Sequence, residues 1–215
     1  MEQQREAGTL GMWIFLITEI MFFGALFFAY ALYRTYFPVE FAAASNHLNV
    51  AMGAINTVVL ICSSLTMALA VYSAQVGSKP RTQVLWLLIT MVLGATFLVI
   101  KGFEYADKYR EHLFPGTLIP GRPFHWEGLG DPNRIQMFFY IYFAMTGLHA
   151  LHMIIGLGLM TYLVIKAWRG SFTPEYHAPV EISGLYWHFV DIVWIFLFPL
   201  LYLLGRHLLE HGGGH

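Results

Sequence analysis

The sequence predicts an all-α membrane protein, a bundle of five transmembrane helices in one domain over residues 1–215. Two observations carry this prediction. Hydrophobic residues make up 57% of the chain and charged residues only 12%, whereas a soluble domain carries about 25% charged residues. Five apolar stretches are also long enough to cross a hydrocarbon core of about 30 Å, which takes roughly 20 helical residues. The net charge of −1 gives no basic surface for nucleic acid.

The five predicted spans lie at about 10–36, 50–74, 83–109, 135–166 and 182–204. They must be helices, because lipid offers no partner to an unpaired backbone N–H or C=O group. Glycine and proline at 77–80 and 170–174 predict the turns after the second and fourth spans. The segment 107–134 is too polar to span and too aromatic for a plain linker. We expect it to pack on the bundle or on a partner.

Charge in the short loops predicts the orientation. Lys79, Arg81, Lys166 and Arg169 fall on one side of the predicted bundle, and short loops rich in Lys and Arg stay in the cytoplasm. We therefore expect the N-terminus inside and the C-terminus outside.

Glu19 is the clearest ionisable residue at depth. It lies about nine residues into the first span, roughly 14 Å along the helix axis and close to the membrane midplane. Its neighbours three and four positions away are Phe15, Leu16, Phe22 and Phe23, so its own helix supplies no polar partner. Such a carboxyl is either protonated or bonded to another helix.

Four further polar residues are candidate partners within the spans. His149 and His152 lie three apart in the fourth span, and His188 and Asp191 lie three apart in the fifth, so each pair shares a helix face. The pattern favours an interhelical hydrogen-bonded network over a proton-handling role. A metal site is the least favoured interpretation, although these are possible ligand types.

Three basic or acidic residues sit nearer the predicted span ends. Lys101 and Glu104, three residues apart, are predicted to form a structural pair at the membrane interface. Lys166 ends the fourth span and could extend its ammonium group to a lipid phosphate.

Five motifs carry a resemblance to a known family. They are GMWIFLITEIMFF at 11–23, AINTVVL at 54–60, KGFEY at 101–105, GLHALHMIIG at 147–156 and YWHFVDIVW at 186–194. In this order, and across nearly all of residues 11–206, they resemble subunit III of heme–copper terminal oxidases in its five-helix form. The last motif is long and specific, which makes the match strong.

The resemblance implies a non-catalytic subunit of a proton-pumping aa3-type cytochrome c oxidase in the bacterial inner membrane. Such a subunit stabilises the catalytic subunit, binds phospholipid and supports proton uptake, with Glu19 as a buried protonatable carboxyl and Lys166 as a lipid head-group contact. Its partners are subunit I, as the main contact, and subunit II. Haem a and copper lie in those partner subunits, and this chain holds no cofactor or metal.

The resemblance also leaves alternatives open. The seven-helix form of the family has two more helices ahead of the first motif, and they form one wall of a lipid cleft. Here ten residues precede Gly11, so we expect that wall to be missing or supplied by another subunit. Subunit III of a quinol oxidase and the accessory protein of a nitric oxide reductase share the pattern. A stand-alone proton-coupled transporter is the alternative of another class, but the sequence shows no inverted repeat.

Overall fold

The structure, a computed structural model, describes residues 2–115 and 124–204. Its regular elements in these ranges are helices. They are α1 (Glu2–Tyr36), α2 (Pro38–Asn46), α3 (Val50–Gln75), α4 (Pro80–Arg110), α5 (Pro132–Trp168) and α6 (Ala178–Phe198), and a π-helical segment, Pro199–Leu203, continues α6. All of these except α2 are long and apolar enough to cross a membrane. The predicted five-helix, all-α class is confirmed.

α1 begins eight residues before the predicted span, and the other spans begin and end within four residues of the predicted bounds. Proline occupies the first turn of α4 and α5, where the missing N–H costs nothing because that group has no partner within the helix. Asp131 caps α5 by accepting a hydrogen bond of 2.9 Å from the Asn133 backbone N–H. The short α2 was not predicted. It begins at Pro38 and buries the segment Phe41–Ser45.

α6 is the most buried of the long helices and α1 the least. The indole of Trp187, fully buried on α6, lies between Gly94 of α4 and Gly156 of α5. A Cβ atom would lie 2.8 Å from the indole at Gly94 and 2.7 Å from it at Gly156. Trp187 also donates a 2.9 Å hydrogen bond to Ser63 Oγ on α3. One side chain thus holds four helices in register.

The C-terminal end of α6 receives hydrogen bonds from other helices. Its π-helical segment begins at Pro199, and the last carbonyl groups of a helix lack partners within the helix. Tyr30 of α1 donates to the Leu200 carbonyl and Ser45 of α2 to the Leu201 carbonyl, both at 2.8 Å. These hydrogen bonds satisfy two carbonyl groups of the π-helical segment. The bond from Ser45 also ties the buried α2 to the end of α6.

The predicted turns and the long loop follow the bundle closely. Gly77 and Gly170 have φ values of 65° and 67°, a region that glycine enters at no steric cost. In the described parts of 107–134, Phe114 stacks on Phe143 of α5 at 4.1 Å between ring centroids. Trp126 lies 4.6 Å from the His47 ring. Of the two expectations for this loop, the described parts follow the first and pack on the bundle.

Candidate functional site

The Glu19 carboxyl faces His152 on α5. His152 Nε2 and Glu19 Oε2 are 3.3 Å apart, and their side chains are 12% and 19% exposed. That separation lies just beyond the usual N–H···O range, and no hydrogen bond to Oε2 exists within the described residues. The structure therefore places the two groups in direct contact without a hydrogen bond between them.

The second ring nitrogen of His152 defines which protons the pair can hold. Nδ1 lies 2.9 Å from the Leu148 carbonyl oxygen. Because a carbonyl only accepts, Nδ1 must carry a hydrogen and donate it. Nε2 then faces Glu19 either as a bare acceptor or as a second N–H. The contact can hold one proton between Nε2 and Oε2, in neutral or in ionised form.

Aromatic side chains line this contact. Phe23 of α1 lies 5.6 Å from the His152 ring, and Tyr186 of α6 lies 6.3 Å from it between centroids. The Tyr186 hydroxyl donates to the His152 backbone carbonyl at 3.0 Å. These two rings pack against the imidazole, and the Glu19 Oε2 that faces it is buried.

His149 occupies a different environment from His152. Its ring is 1% exposed and lies 5.3 Å from both the Phe97 and the Trp194 rings. Neither ring nitrogen has a hydrogen-bond partner in the described part of the chain. His149 thus points between α4 and α6, whereas His152 points toward α1.

His188 and Asp191 lie on the other side of α6, beside α3. His188 Nδ1 is 2.7 Å from the hydroxyl of Ser64, on α3. Asp191 is 2% exposed, and both of its carboxyl oxygens lack a hydrogen-bond partner among the described residues. The structure therefore does not join His149, His152, His188 and Asp191 into one network. It distributes them over three places.

Lys101 and Glu104 form the most completely bonded polar cluster. Lys101 Nζ donates to Glu104 Oε2 at 2.9 Å, to the Tyr202 hydroxyl at 2.7 Å and to the Tyr142 hydroxyl at 3.3 Å. Both tyrosines donate in turn to Glu104 Oε1, at 2.5 and 2.9 Å. The Lys101 ammonium also lies 4.8 Å from the Trp194 ring. The pair is 4% and 2% exposed, so it lies inside the bundle rather than on its surface.

Lys166 lies near the end of α5. Its Nζ is 5.2 Å from the Tyr162 ring centroid and 5.8 Å from that of Tyr176. The ammonium group thus sits over two aromatic faces next to the turn that follows α5.

Sequence reasoning missed the hydroxyl partners in these clusters. Ser64, Tyr142 and Tyr202 each bond a predicted residue, yet a serine or tyrosine within an apolar span carries no distinguishing pattern. Asn56 was also missed, although it is fully buried and neither of its amide atoms has a partner in the described ranges. Across residues 2–115 and 124–204, no three His, Cys, Asp or Glu side chains converge closely enough to hold a metal ion.

Comparison with known proteins places this arrangement in a family. Residues 135–206 match the family model described as Cytochrome c oxidase subunit III. Quinol oxidase subunit 3 of Bacillus subtilis is 33% identical over 213 residues, which cover 95% of this chain and 92% of the relative. The chain belongs to the subunit III family of heme–copper oxidases. The resemblance found in the sequence motifs is thereby confirmed.

Two further relatives are named as subunits of cytochrome c oxidases. Cytochrome c oxidase subunit 3 of Thermostichus vulcanus is 32% identical over 201 residues, covering 92% of this chain and 87% of the relative. Cytochrome c oxidase subunit 3 of Papio hamadryas is 31% identical over 203 residues, covering 91% of this chain and 69% of the relative. A subunit III is part of a complex with other oxidase subunits. The chain is accordingly a multi-pass membrane protein of an oxidase complex.

Proposed function

We propose that this chain is the non-catalytic subunit III of a proton-pumping aa3-type cytochrome c oxidase in the inner membrane of a bacterium. Subunit I is its main contact and subunit II a further partner, and haem a and copper lie in those partners. In this proposal the chain stabilises the catalytic subunit, holds phospholipid and supports proton uptake. Its N-terminus lies in the cytoplasm, as the basic short loops favour.

The observation that carries the proton-uptake role is the contact between Glu19 and His152. A carboxyl inside a span is costly unless it is paired or protonated, and here an imidazole on another helix is 3.3 Å away. The pair can accept or release one proton at Oε2 or Nε2 while both side chains stay in place. The Glu19 side chain as a whole is 19% exposed although its Oε2 is buried, and in this proposal the proton comes from a group on a neighbouring subunit.

The position of Lys166 supports the lipid-binding role. The two tyrosine rings beneath its ammonium group hold the charge near the predicted cytoplasmic end of α5, at head-group depth. An ammonium group there attracts a lipid phosphate.

A quinol oxidase subunit III is the second candidate function, favoured by one observation. The Bacillus subtilis relative named as a quinol oxidase subunit is 33% identical over 95% of this chain, similar to the 32% of the Thermostichus cytochrome c oxidase subunit. The electron donor binds other subunits, so similarity in this chain does not separate the two.

One purification tests both candidates. The complex that accompanies the tagged chain in mild detergent should contain copper and show the absorption spectrum of haem a. It should also oxidise reduced cytochrome c with consumption of oxygen. Oxidation of a quinol but not of cytochrome c would replace the first candidate with the second. A preparation without haem-bearing partners, together with proton transport by liposomes of this chain alone, would refute both in favour of a transporter.

A further inference from the structure

A cavity between α3 and α6 opens on the surface of the bundle, on the other side of α6 from Glu19. It has a volume of about 270 Å³, and its wall includes Ser64 of α3 together with His188 and Asp191 of α6. We refer to it as the α3/α6 cavity. The proposed function makes no use of it.

The Asp191 carboxyl is the unusual group in this cavity. It is 2% exposed, and neither oxygen has a hydrogen-bond partner in the part of the chain that the structure describes. The Ser64 hydroxyl is close to it and also lies 2.7 Å from His188 Nδ1, so it is the nearest hydroxyl within the bundle. Asp191 also lies near the middle of the 26-residue span Ala178–Leu203. An unpaired carboxyl at that depth is strongly unfavourable.

The mouth of the cavity is apolar. Ile61 and Leu65 of α3 and Ile195 of α6 line it, and they are 53%, 63% and 43% exposed. Lipid chains could cover these side chains, but lipid chains have no N–H or O–H group for the carboxyl inside. The cavity also far exceeds the ~30 Å³ that one water occupies, so a side chain can enter it.

We propose that the α3/α6 cavity is the docking site for a transmembrane helix of a neighbouring oxidase subunit. That helix inserts a side chain whose N–H or O–H group donates a hydrogen bond to Asp191. A carboxyl keeps an accepting oxygen whether it is protonated or ionised, so the match holds in both forms. The inference rests on the proposed membership in an oxidase complex and adds to it the contact surface and the chemistry of the contact.

Substitutions at the carboxyl and at the mouth test the proposal in the purified complex. Asp191→Leu removes the acceptor, and Ala68→Trp fills the mouth from an exposed position in its wall. Both should lower the amount of other oxidase subunits retained per copy of this chain by about fivefold, as the loss of one interhelical bond in lipid predicts. Asp191→Asn keeps an accepting oxygen and should retain most. The control Ala95→Trp, exposed on α4, should retain the wild-type amount.

A photo-activated cross-linking residue gives a second readout that does not depend on stability. Placed at Ala68 in the assembled complex, it should form an adduct with a transmembrane peptide of another oxidase subunit, identified by mass spectrometry. Placed at Ala95, it should not label that peptide. Because the cross-linking chain keeps Asp191, this test of the docking site remains valid even if Asp191→Leu lowers the level of the chain in the membrane.

Two results would overturn the proposal. One is wild-type subunit retention in both Asp191→Leu and Ala68→Trp, which would mean that water, a cation or lipid occupies the cavity. The other is adducts with lipid alone at Ala68. In either case, the proposed function still holds if the wild-type preparation carries haem-bearing subunits. If the wild-type preparation lacks haem-bearing subunits, the proposed function itself is refuted.

Discussion

Removal of the Lys101 ammonium should destabilise the protein more than any exposed substitution. In Lys101→Met, Glu104 loses its 2.9 Å ion pair while it stays 2% exposed. Breaking a buried pair by removing one partner costs about 3–5 kcal/mol, because an uncompensated charge stays in a low-dielectric interior. The hydroxyls of Tyr142 and Tyr202 still donate to Glu104, so we expect the lower end, about 3 kcal/mol.

The assay is unfolding of the purified complex in mixed micelles by titration with dodecyl sulfate, followed by circular dichroism. Lys79→Met is the matched control, because Lys79 is exposed just before α4 begins and should change stability by less than about 0.5 kcal/mol. The double variant Lys101→Met with Glu104→Met should cost less than the sum of the single variants, because it leaves no unpaired charge.

Two results would refute this reasoning. If Lys101→Met costs no more than Lys79→Met, the ion pair contributes nothing measurable to the bundle. If the costs of the two single substitutions simply add in the double variant, the two groups act independently and the pairing seen at 2.9 Å is not the source of the effect.

Three other predictions follow from the remaining contacts. Glu19→Gln should leave the assembled complex within about 0.5–1 kcal/mol of wild type, since the amide can still donate to His152 Nε2, yet the oxidase should inactivate sooner during turnover or pump fewer protons per electron. Gly156→Ala should destabilise by about 1–3 kcal/mol, because its Cβ would lie 2.7 Å from the Trp187 indole, and pairing it with Trp187→Leu should cost less than the two separate changes. Burial first, and then the charge of Lys108, hold the pKa of His47 below its ordinary value. Below a pH of about 6.5, the unfolded chain therefore binds more protons at His47 than the folded chain does, so the free energy of unfolding decreases as the pH falls. Unfolding measured between pH 5 and 8 should show this slope in wild type and less of it in His47→Gln.

Each of these has a contrary outcome. Unchanged turnover lifetime and proton stoichiometry in Glu19→Gln would reduce Glu19 to a packing contact. Equal stability of Gly156→Ala and wild type would mean that α5 moves away from the indole without penalty. Identical pH slopes in wild type and His47→Gln would show that His47 titrates as it does in the unfolded chain.

The sequence predicts the spans well because their cause is local. Twenty or more apolar residues must form a helix in lipid whatever surrounds them, and all five spans appear within a few residues of the predicted bounds. The short α2 escaped prediction because nothing local distinguishes it. Its burial depends on α5 and on the Leu201 carbonyl, which accepts from Ser45 and lies far along the chain.

The polar contacts were harder to predict because they depend on how each helix is rotated. Residues three apart share a helix face but still point about 60° apart, since each residue turns the helix by about 100°. That offset directs His152 to Glu19 on α1 and His149 to the Phe97 and Trp194 rings. Spacing in one helix defines a face, and only the neighbouring helix decides which residue of that face finds a partner.

The buried ionisable groups differ in how completely the chain itself satisfies them. The Lys101 ammonium donates to three acceptors within the bundle, and both Glu104 oxygens accept hydrogen bonds. This cluster therefore needs no partner from another subunit. Glu19 Oε2 and both Asp191 oxygens lack such bonds in the described ranges. A carboxyl oxygen without a hydrogen-bond donor is costly in lipid, and a neighbouring subunit of the assembled complex can supply the donor. For Asp191, the helix proposed above would supply that donor.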